Sequence, residues 1–208
     1  MEQNNKPKEE LSEIEKYKTR FIDEKIKNNK TIAVLAGAVV PMSAATAIGN
    51  IIVSNYQIAV QNTGTMLAMI AYTVGNYLMY KQDLKEREII LKDSPEDFNM
   101  INLLKNKLEL LKVKIKQSKI QQATMAVAST GFITSFASSL FMEPTQTSAT
   151  NSIKVIVAAL TGVVGVACAA TAIKQKSTID YYKLEMADTE EQLNEEITEE
   201  QPIQKTLK

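Results

Sequence analysis

The chain has 208 residues and a balanced charge, with 24 Lys and Arg residues against 24 Asp and Glu residues. It contains no histidine and a single cysteine, Cys168, which excludes histidine acid–base catalysis, Cys/His zinc sites and a disulfide framework. Only two residues are arginine, the side chain that most often contacts phosphates and base edges, so the composition also argues against nucleic acid as a partner.

Charged residues are almost absent from two long stretches. The stretch 31–80 has no Asp, Glu, Lys or Arg, and the stretch 120–173 has only Glu143 and Lys154. Each stretch has room for two membrane spans of roughly 20 residues and a short loop. A soluble helix shows a polar face to water, so the pattern predicts an all-α integral membrane protein with four spans in two hairpins. The alternative is a soluble bundle with two apolar hairpins, or a secreted toxin that inserts on command.

The first predicted unit, 1–93, is a helix, a transmembrane hairpin and a second helix. Its spans are predicted at about 32–54 and 64–80, and a polar break at 55–63 separates them. The first span has small residues at intervals of four, which predict a smooth packing face because helices in lipid approach closely through such residues. The packing residues predicted in this span are Gly37, Ala45 and Gly49.

The second predicted unit, 94–198, repeats this layout. Ser94 is a predicted helix N-cap with Pro95 at the first helical position, and one continuous helix is predicted from about 95 to 142. Apolar residues recur there at alternating steps of three and four, the pattern of a coiled-coil seam. The seam consists of Ile101, Leu104, Leu108, Leu111 and Ile115. It can pack within one chain as a stalk, or pair between chains and fix an oligomer.

The third span, predicted at about 123–142, is rich in hydroxyl groups. Ser and Thr can satisfy their hydroxyls on backbone carbonyls one turn back, so helix packing accounts for this composition. The alternative is a wet face that lines an oligomeric pore, with a carboxylate at its mouth. The candidate pore-lining residues are Thr130, Thr134, Ser135, Ser138 and Glu143.

The fourth span is predicted at about 153–173, and a stripe of small residues runs along it. Gly165 and Ala172 are its predicted packing residues, and Cys168 lies in the same stripe as a packing residue rather than a reactive thiol. The last residues, 199–208, are predicted to form a disordered tail because the C-terminal segment is acidic and poor in apolar residues.

The two units are predicted to be a tandem repeat with a fixed orientation. An offset of 93 places the tetrapeptide that starts at Thr31 over the one that starts at Thr124, with two of the remaining three positions identical. Eight basic residues precede Thr31, ten lie in 81–119 and five follow Ile173. Since basic residues near span ends stay in the cytoplasm, both termini and the central segment are predicted to be cytoplasmic.

The sequence contains no nucleotide-binding, zinc-protease or nucleophile-elbow motif, so neither an enzyme nor a cofactor or metal site is predicted. The predicted function is that of a membrane scaffold or adaptor. Its hairpins would anchor it in the lipid bilayer, and its cytoplasmic helices would bind further copies of the chain or another protein partner. The alternative is an oligomeric pore or channel-type effector lined by the third span.

Overall fold

The computed structural model describes residues 13–92, 99–141 and 148–206. These residues form four α-helices without any β-strand between them, which confirms the predicted all-α fold. The helices are α1 (Glu13–Ile52), α2 (Tyr56–Lys92), α3 (Met100–Leu140) and α4 (Ser148–Thr206).

Successive helices pack side by side in an open row. The backbone of α1 approaches α2, that of α2 approaches α3, and that of α3 approaches α4, with no other backbone approach among the described helices. Neighbours are antiparallel, since Gly37 of α1 lies against Thr73 of α2 whereas Lys25, earlier in α1, pairs with Asp83, later in α2. The helices α2 and α3 are therefore central, and α1 and α4 are the two edges.

The face that α1 turns to α2 differs from the predicted small-residue face. Ala33, Ala36 and Ala47 are buried, while Ala45 and Gly49 are exposed. Steps of four advance by more than one helical turn of 3.6 residues, so a stripe at i, i+4, i+8 drifts around the helix. Alternating steps of three and four stay on one side, and it is this register that packs against α2.

The turn between α1 and α2 is shorter than the predicted polar break at 55–63. Only Val53, Ser54 and Asn55 separate the helices, with Ser54 in the left-handed region at φ 59°. The amide of Asn55 donates to the Asn50 carbonyl at 2.7 Å, and the Asn55 carbonyl accepts from Ala59. The polar residues after Asn55 belong to α2, and the carbonyls of Gln57 and Gln61 accept hydrogen bonds from serines of α3.

Two further boundaries differ from the sequence expectations. The helix α3 starts at Met100, with Asn99 as its N-cap and the Asn99 side chain accepting from the Ile101 amide at 2.8 Å; the predicted start at Ser94 and Pro95 lies outside the described residues. The helix α4 continues to Thr206, through most of the stretch predicted to be disordered. Glu, Gln and Lys are good helix formers, so a polar composition does not by itself end a helix.

Two of the described helices are long and apolar enough to cross a membrane. The qualifying segments are Lys16–Ile52 of α1 and Val155–Thr198 of α4. The other two helices carry more amide and hydroxyl side chains in their apolar halves, such as Gln57 and Gln61 in α2 and Ser135 in α3. The structure therefore supports two helices that could cross a membrane, whereas the sequence predicts four spans.

Candidate functional site

A cluster of charged and amide side chains joins three helices just beyond the apolar halves of the bundle. We call it the polar clamp, and it consists of Lys25 and Asn29 from α1, Asp83 and Glu86 from α2, and Gln117 from α3. All five residues lie in the cytoplasmic or flanking part of the predicted topology.

Asp83 is the centre of the polar clamp, and its side chain is 0% exposed. The Lys25 ammonium lies 2.9 Å from Oδ1, and the Gln117 amide donates to the same oxygen at 2.9 Å. The Asn29 amide donates to Oδ2 at 2.5 Å. Both carboxylate oxygens are thus satisfied by donors from α1 and α3, which is the condition under which a buried charge is tolerated.

Glu86 completes the polar clamp one turn further along α2. Its Oε2 lies 3.2 Å from Lys25 Nζ and accepts from the Gln117 amide at 2.7 Å. One ammonium therefore serves two carboxylates, of which Glu86 is 12% exposed and Asp83 fully buried. Loss of this shared cation would leave both carboxylates without an ionic partner, and removing one member of a buried ion pair is strongly destabilising.

A second ion pair beside the polar clamp is more open to water. Arg87 Nε lies 2.7 Å from Asp23 Oδ1, with side chains 29% and 44% exposed. Solvent screens such a pair, so it contributes about 0–1 kcal/mol. It also joins α1 to α2, and its exposure makes it a natural comparison for the buried pair.

The polar clamp is a structural contact that holds helices together. Its carboxylates are filled by ammonium and amide donors, and no group of three or more Cys, Asp or Glu residues in the described ranges is arranged to hold a metal ion. Lys25 precedes the charge-free stretch by six residues, about 9 Å of helix. The clamp thus fixes three helices to one another at the level where the apolar surface ends.

A phenol–sulfur contact joins the helices in the middle of the apolar half. The Tyr72 hydroxyl of α2 lies 3.2 Å from the Cys168 sulfur of α4 and 3.8 Å from the Met125 sulfur of α3. The Tyr72 ring also packs on Phe132, with centroids 6.3 Å apart. Cys168 is buried and its thiol is shielded, in agreement with its sequence interpretation as a packing residue.

The central helices α2 and α3 approach each other through small residues. Gly64, Ala68 and Ala71 of α2 are buried against the face of α3 that carries Ala128 and Gly131. A Cβ placed on Gly64 would lie 2.6 Å from the Gly131 carbonyl oxygen, and a Cβ on Gly131 would collide with the Gly64 carbonyl in return. The two backbones touch at this point, so only glycine fits.

The seam predicted in α3 lies against the other helices of the same chain. Leu104, Leu108 and Leu111 are buried. Ile101 and Ile115 are half-buried. The burial of the three leucines corresponds to the stalk alternative, in which the seam packs within one chain.

The hydroxyls of the third predicted span divide into two groups. Ser135 donates to the Gln61 carbonyl of α2 at 2.8 Å, and Ser138 donates to the Gln57 carbonyl at 2.6 Å. Thr130 and Thr134 instead donate to carbonyls one turn back in α3, and both are exposed. Glu143, the remaining candidate pore residue, lies outside the described ranges.

The predicted packing residues of the fourth span lie on the buried side of α4. Gly165 and Ala172 are both buried. The Gly165 carbonyl accepts from the Ser129 hydroxyl of α3 at 2.9 Å, and a Cβ on Gly165 would lie 3.0 Å from Ile133. In the first span only Gly37 makes a similar contact, 3.3 Å from Thr73.

We expect the two kinds of hydroxyl to differ in their contribution to stability. Ser135→Ala removes hydrogen bonds between α2 and α3 and should lower the free energy of unfolding by about 1 kcal/mol, the usual net contribution of such a bond. Thr134→Ala removes a bond within one helix and should cost clearly less. Denaturant titration of both variants, read by the exposure of the buried Cys168 thiol, compares them. Equal losses would contradict this assignment.

Sequence reasoning did not find the polar clamp, although a signal for it exists. The midpoint of a tight antiparallel hairpin at Ser54 places Lys25 and Asp83 at the same level, because each is 29 residues from it. Opposite charges at equal distances from a hairpin turn predict an ion pair between the two helices. Comparison with protein-family models, curated proteins and solved structures finds no match to this chain.

Proposed function

We propose that the chain is a non-enzymatic membrane scaffold, anchored by four spans and presenting its cytoplasmic helices to other copies or to protein partners. The observation that carries the proposal is a continuous belt of exposed apolar side chains. On every helix a charged segment adjoins this belt, and all four charged segments lie at the same end of the bundle. The proposal has two parts, the anchoring of all four helices in lipid and the use of their charged halves for assembly.

The apolar windows of the edge helices are not the core of a soluble bundle. Of the apolar 18-residue segment that makes each edge helix a candidate span, only 11% in α1 and 22% in α4 is buried inside the protein. Large side chains such as Leu35, Met42 and Val163 are exposed by 63%, 69% and 68%. Surface of this kind is unfavourable in water by about 25 cal/mol for each Å², so lipid or protein must cover it.

The apolar halves of the central helices lie at the same level as those of the edge helices. The Gly37–Thr73 contact sets α2 beside the apolar part of α1, and the Gly64–Gly131 contact sets α3 beside α2. Exposed apolar residues of α2 and α3, such as Ile70 and Ile133, continue the belt. Hydrocarbon that surrounds α1 and α4 would therefore surround α2 and α3, and this supports four spans despite their more polar composition.

The charged halves of the helices support the scaffold part of the proposal. The buried seam of α3 and the polar clamp make these halves one packed body, joined to α4 by the Lys107–Glu185 pair at 3.5 Å. A water-exposed segment of about 20 residues projects roughly 30 Å from the bilayer. A rigid projection of this length suits contacts with other proteins better than chemistry on a small molecule.

The pore alternative has less support from the geometry. The Ser135 and Ser138 hydroxyls are engaged with α2 carbonyls, and the exposed Thr130 and Thr134 hydroxyls are bonded to their own helix. Donation to a carbonyl one turn back is an arrangement that helix packing accounts for without a pore. Ion flux through liposomes that contain the purified protein would favour the pore and contradict the scaffold.

Membrane anchoring is tested by extraction and by labelling. We expect the full-length chain to stay in the membrane pellet after an alkaline wash and to leave it only with detergent. In intact cells, a thiol placed at Val53, in the short turn, should react with an impermeant maleimide, whereas one at Lys112 should react only after the membrane is opened. The shielded Cys168 makes the unmodified chain the blank. A chain found in the wash supernatant would overturn the proposal.

A further inference from the structure

The open row leaves both edge helices with an unpartnered side. The outer side of α1, opposite α2, carries two aromatic residues in its charged half, Tyr17 and Phe21, each 81% exposed. Three exposed basic residues, Lys16, Arg20 and Lys27, and one exposed acid, Glu24, lie beside them on the same helix. Aromatic residues of this size at such exposure in an aqueous segment indicate a surface that another protein covers.

The outer side of α4, opposite α3, has a matching character. Tyr181 is 61% exposed and Leu184 is 73% exposed. Further along the same side lie three exposed acids, Asp188, Glu191 and Glu195. All five residues are spaced alternately by three and four, so they form one stripe down the side of α4 that faces away from α3.

The two outer sides match in level along the bundle. Measured from the charge-free stretches, Phe21 lies about 15 Å and Tyr17 about 21 Å below the end of α1's apolar half. On the same scale Tyr181 and Leu184 lie about 12 and 17 Å below the apolar half of α4. The aromatic and apolar patches of the two edges therefore overlap in depth.

The charges next to these patches are complementary. Lys16 lies about 22 Å below the apolar half of α1, at the level of Asp188 on α4. Arg20, about 17 Å down, lies at the level of Leu184, one helical turn short of Asp188. The outer side of α1 is mainly basic, with Glu24 as its one acid beside Lys16, Arg20 and Lys27, and that of α4 is acidic, so the two sides attract each other between copies.

We propose that the outer side of α1 in one copy docks on the outer side of α4 in the next, with Tyr17 and Phe21 packed on Tyr181 and Leu184. This inference rests on the proposed function, because a shared membrane orientation is what brings the levels into register. The contact pairs two antiparallel helices, as do the three pairs of neighbouring helices in the described part of the chain. Because α1 and α4 are different surfaces, the contact is head-to-tail and builds a ring or a row of copies.

The apolar halves of the same two sides permit this approach. Ala45 and Gly49 of α1 face outward, and a Cβ on Gly49 would meet no atom within 4 Å. Ala159 and Ala170 of α4 are likewise exposed. Small residues let helix backbones come close in lipid, so the predicted packing face of the first span suits a contact between copies.

Disulfide cross-linking in native membranes tests the head-to-tail contact. We expect membranes that contain Phe21→Cys and Leu184→Cys chains, each with its own tag, to give a mixed cross-linked dimer upon oxidation. Neither variant alone should cross-link, and the double variant Phe21→Cys/Leu184→Cys should give a ladder of higher species. Met100→Cys with Leu184→Cys is the matched control, since Met100 lies about 30 Å below the apolar half of α3.

The outcomes separate this inference from the scaffold proposal. A cross-linked dimer from either variant alone would overturn the head-to-tail contact. Absence of the mixed dimer, with Cys168 still unreactive in both folded variants, would overturn it too, while leaving membrane anchoring untouched. As a second measurement, Lys16→Glu should lower the yield of mixed dimer by about two- to fivefold, and Asp188→Lys on the partner should restore it.

Discussion

Lys25→Met is expected to lower the free energy of unfolding by about 3–5 kcal/mol, the range for breaking a buried ion pair from one side. The substitution leaves the fully buried Asp83 and the nearly buried Glu86 without their shared ammonium, which lies 2.9 and 3.2 Å from their oxygens. The amides of Asn29 and Gln117 remain, but they carry no charge. The loss is measured by denaturant titration in detergent, with the reaction of the single buried thiol, Cys168, as the signal of unfolding.

Two further variants make this result specific to burial. Arg87→Met breaks the neighbouring pair to Asp23, whose members are 29% and 44% exposed, and should cost no more than about 1 kcal/mol. Adding Asp83→Asn to Lys25→Met removes the stranded charge and should recover part of the stability. If Lys25→Met and Arg87→Met were equally mild, the polar clamp would not be the tie between α1, α2 and α3.

Gly131→Ala is expected to destabilise the chain by about 3 kcal/mol, at the upper end of the usual cost of overpacking. A Cβ at this position would press on the Gly64 carbonyl and on the backbone nitrogen of Ala68 at 2.8 Å. Backbone atoms cannot move aside as a side chain can, so α2 and α3 would have to separate. The same thiol-reaction titration measures the effect, and a second readout is loss of a single species in size-exclusion chromatography.

Gly49→Ala is the matched control for this prediction. Gly49 also lies in the apolar half of a helix, but a Cβ there has no neighbour within 4 Å. The substitution should be neutral or raise stability by up to about 1 kcal/mol, since alanine is the better helix former. An effect of Gly131→Ala as small as that of Gly49→Ala would show that α2 and α3 do not touch at these glycines.

The periodic features of the chain could be predicted from local sequence. Four helices follow from long segments without strand or turn signals, and the burial of Leu104, Leu108 and Leu111 corresponds to their alternating steps of three and four. The candidate spans follow from the absence of charge, which is directly visible in the chain. These features depend on residues a few positions apart, so the sequence alone carries them.

The partners of those helices could not be predicted in the same way. Asp83 and Asp180 are both acids in a helix that follows an apolar stretch, yet Asp83 is fully buried and Asp180 is 59% exposed. The difference comes from Lys25, Asn29 and Gln117, which reach Asp83 from other helices. Only the side-by-side order of the helices, with α2 in the centre and α4 at an edge, decides which acid is enclosed.

The sequence by itself thus determined the helical fold, the location of the charge-free halves and the spacing of the apolar residues in α3. The tertiary structure decided which side of each helix is covered, that Ser135 bonds to α2, and that Ala45 and Gly49 are left outside. The physical reason is the separation, along the sequence, of the residues that interact. Helix formation and amphipathicity arise between residues three or four apart, whereas close backbone contact and the pairing of buried charges depend on groups brought together by the packing of distant segments.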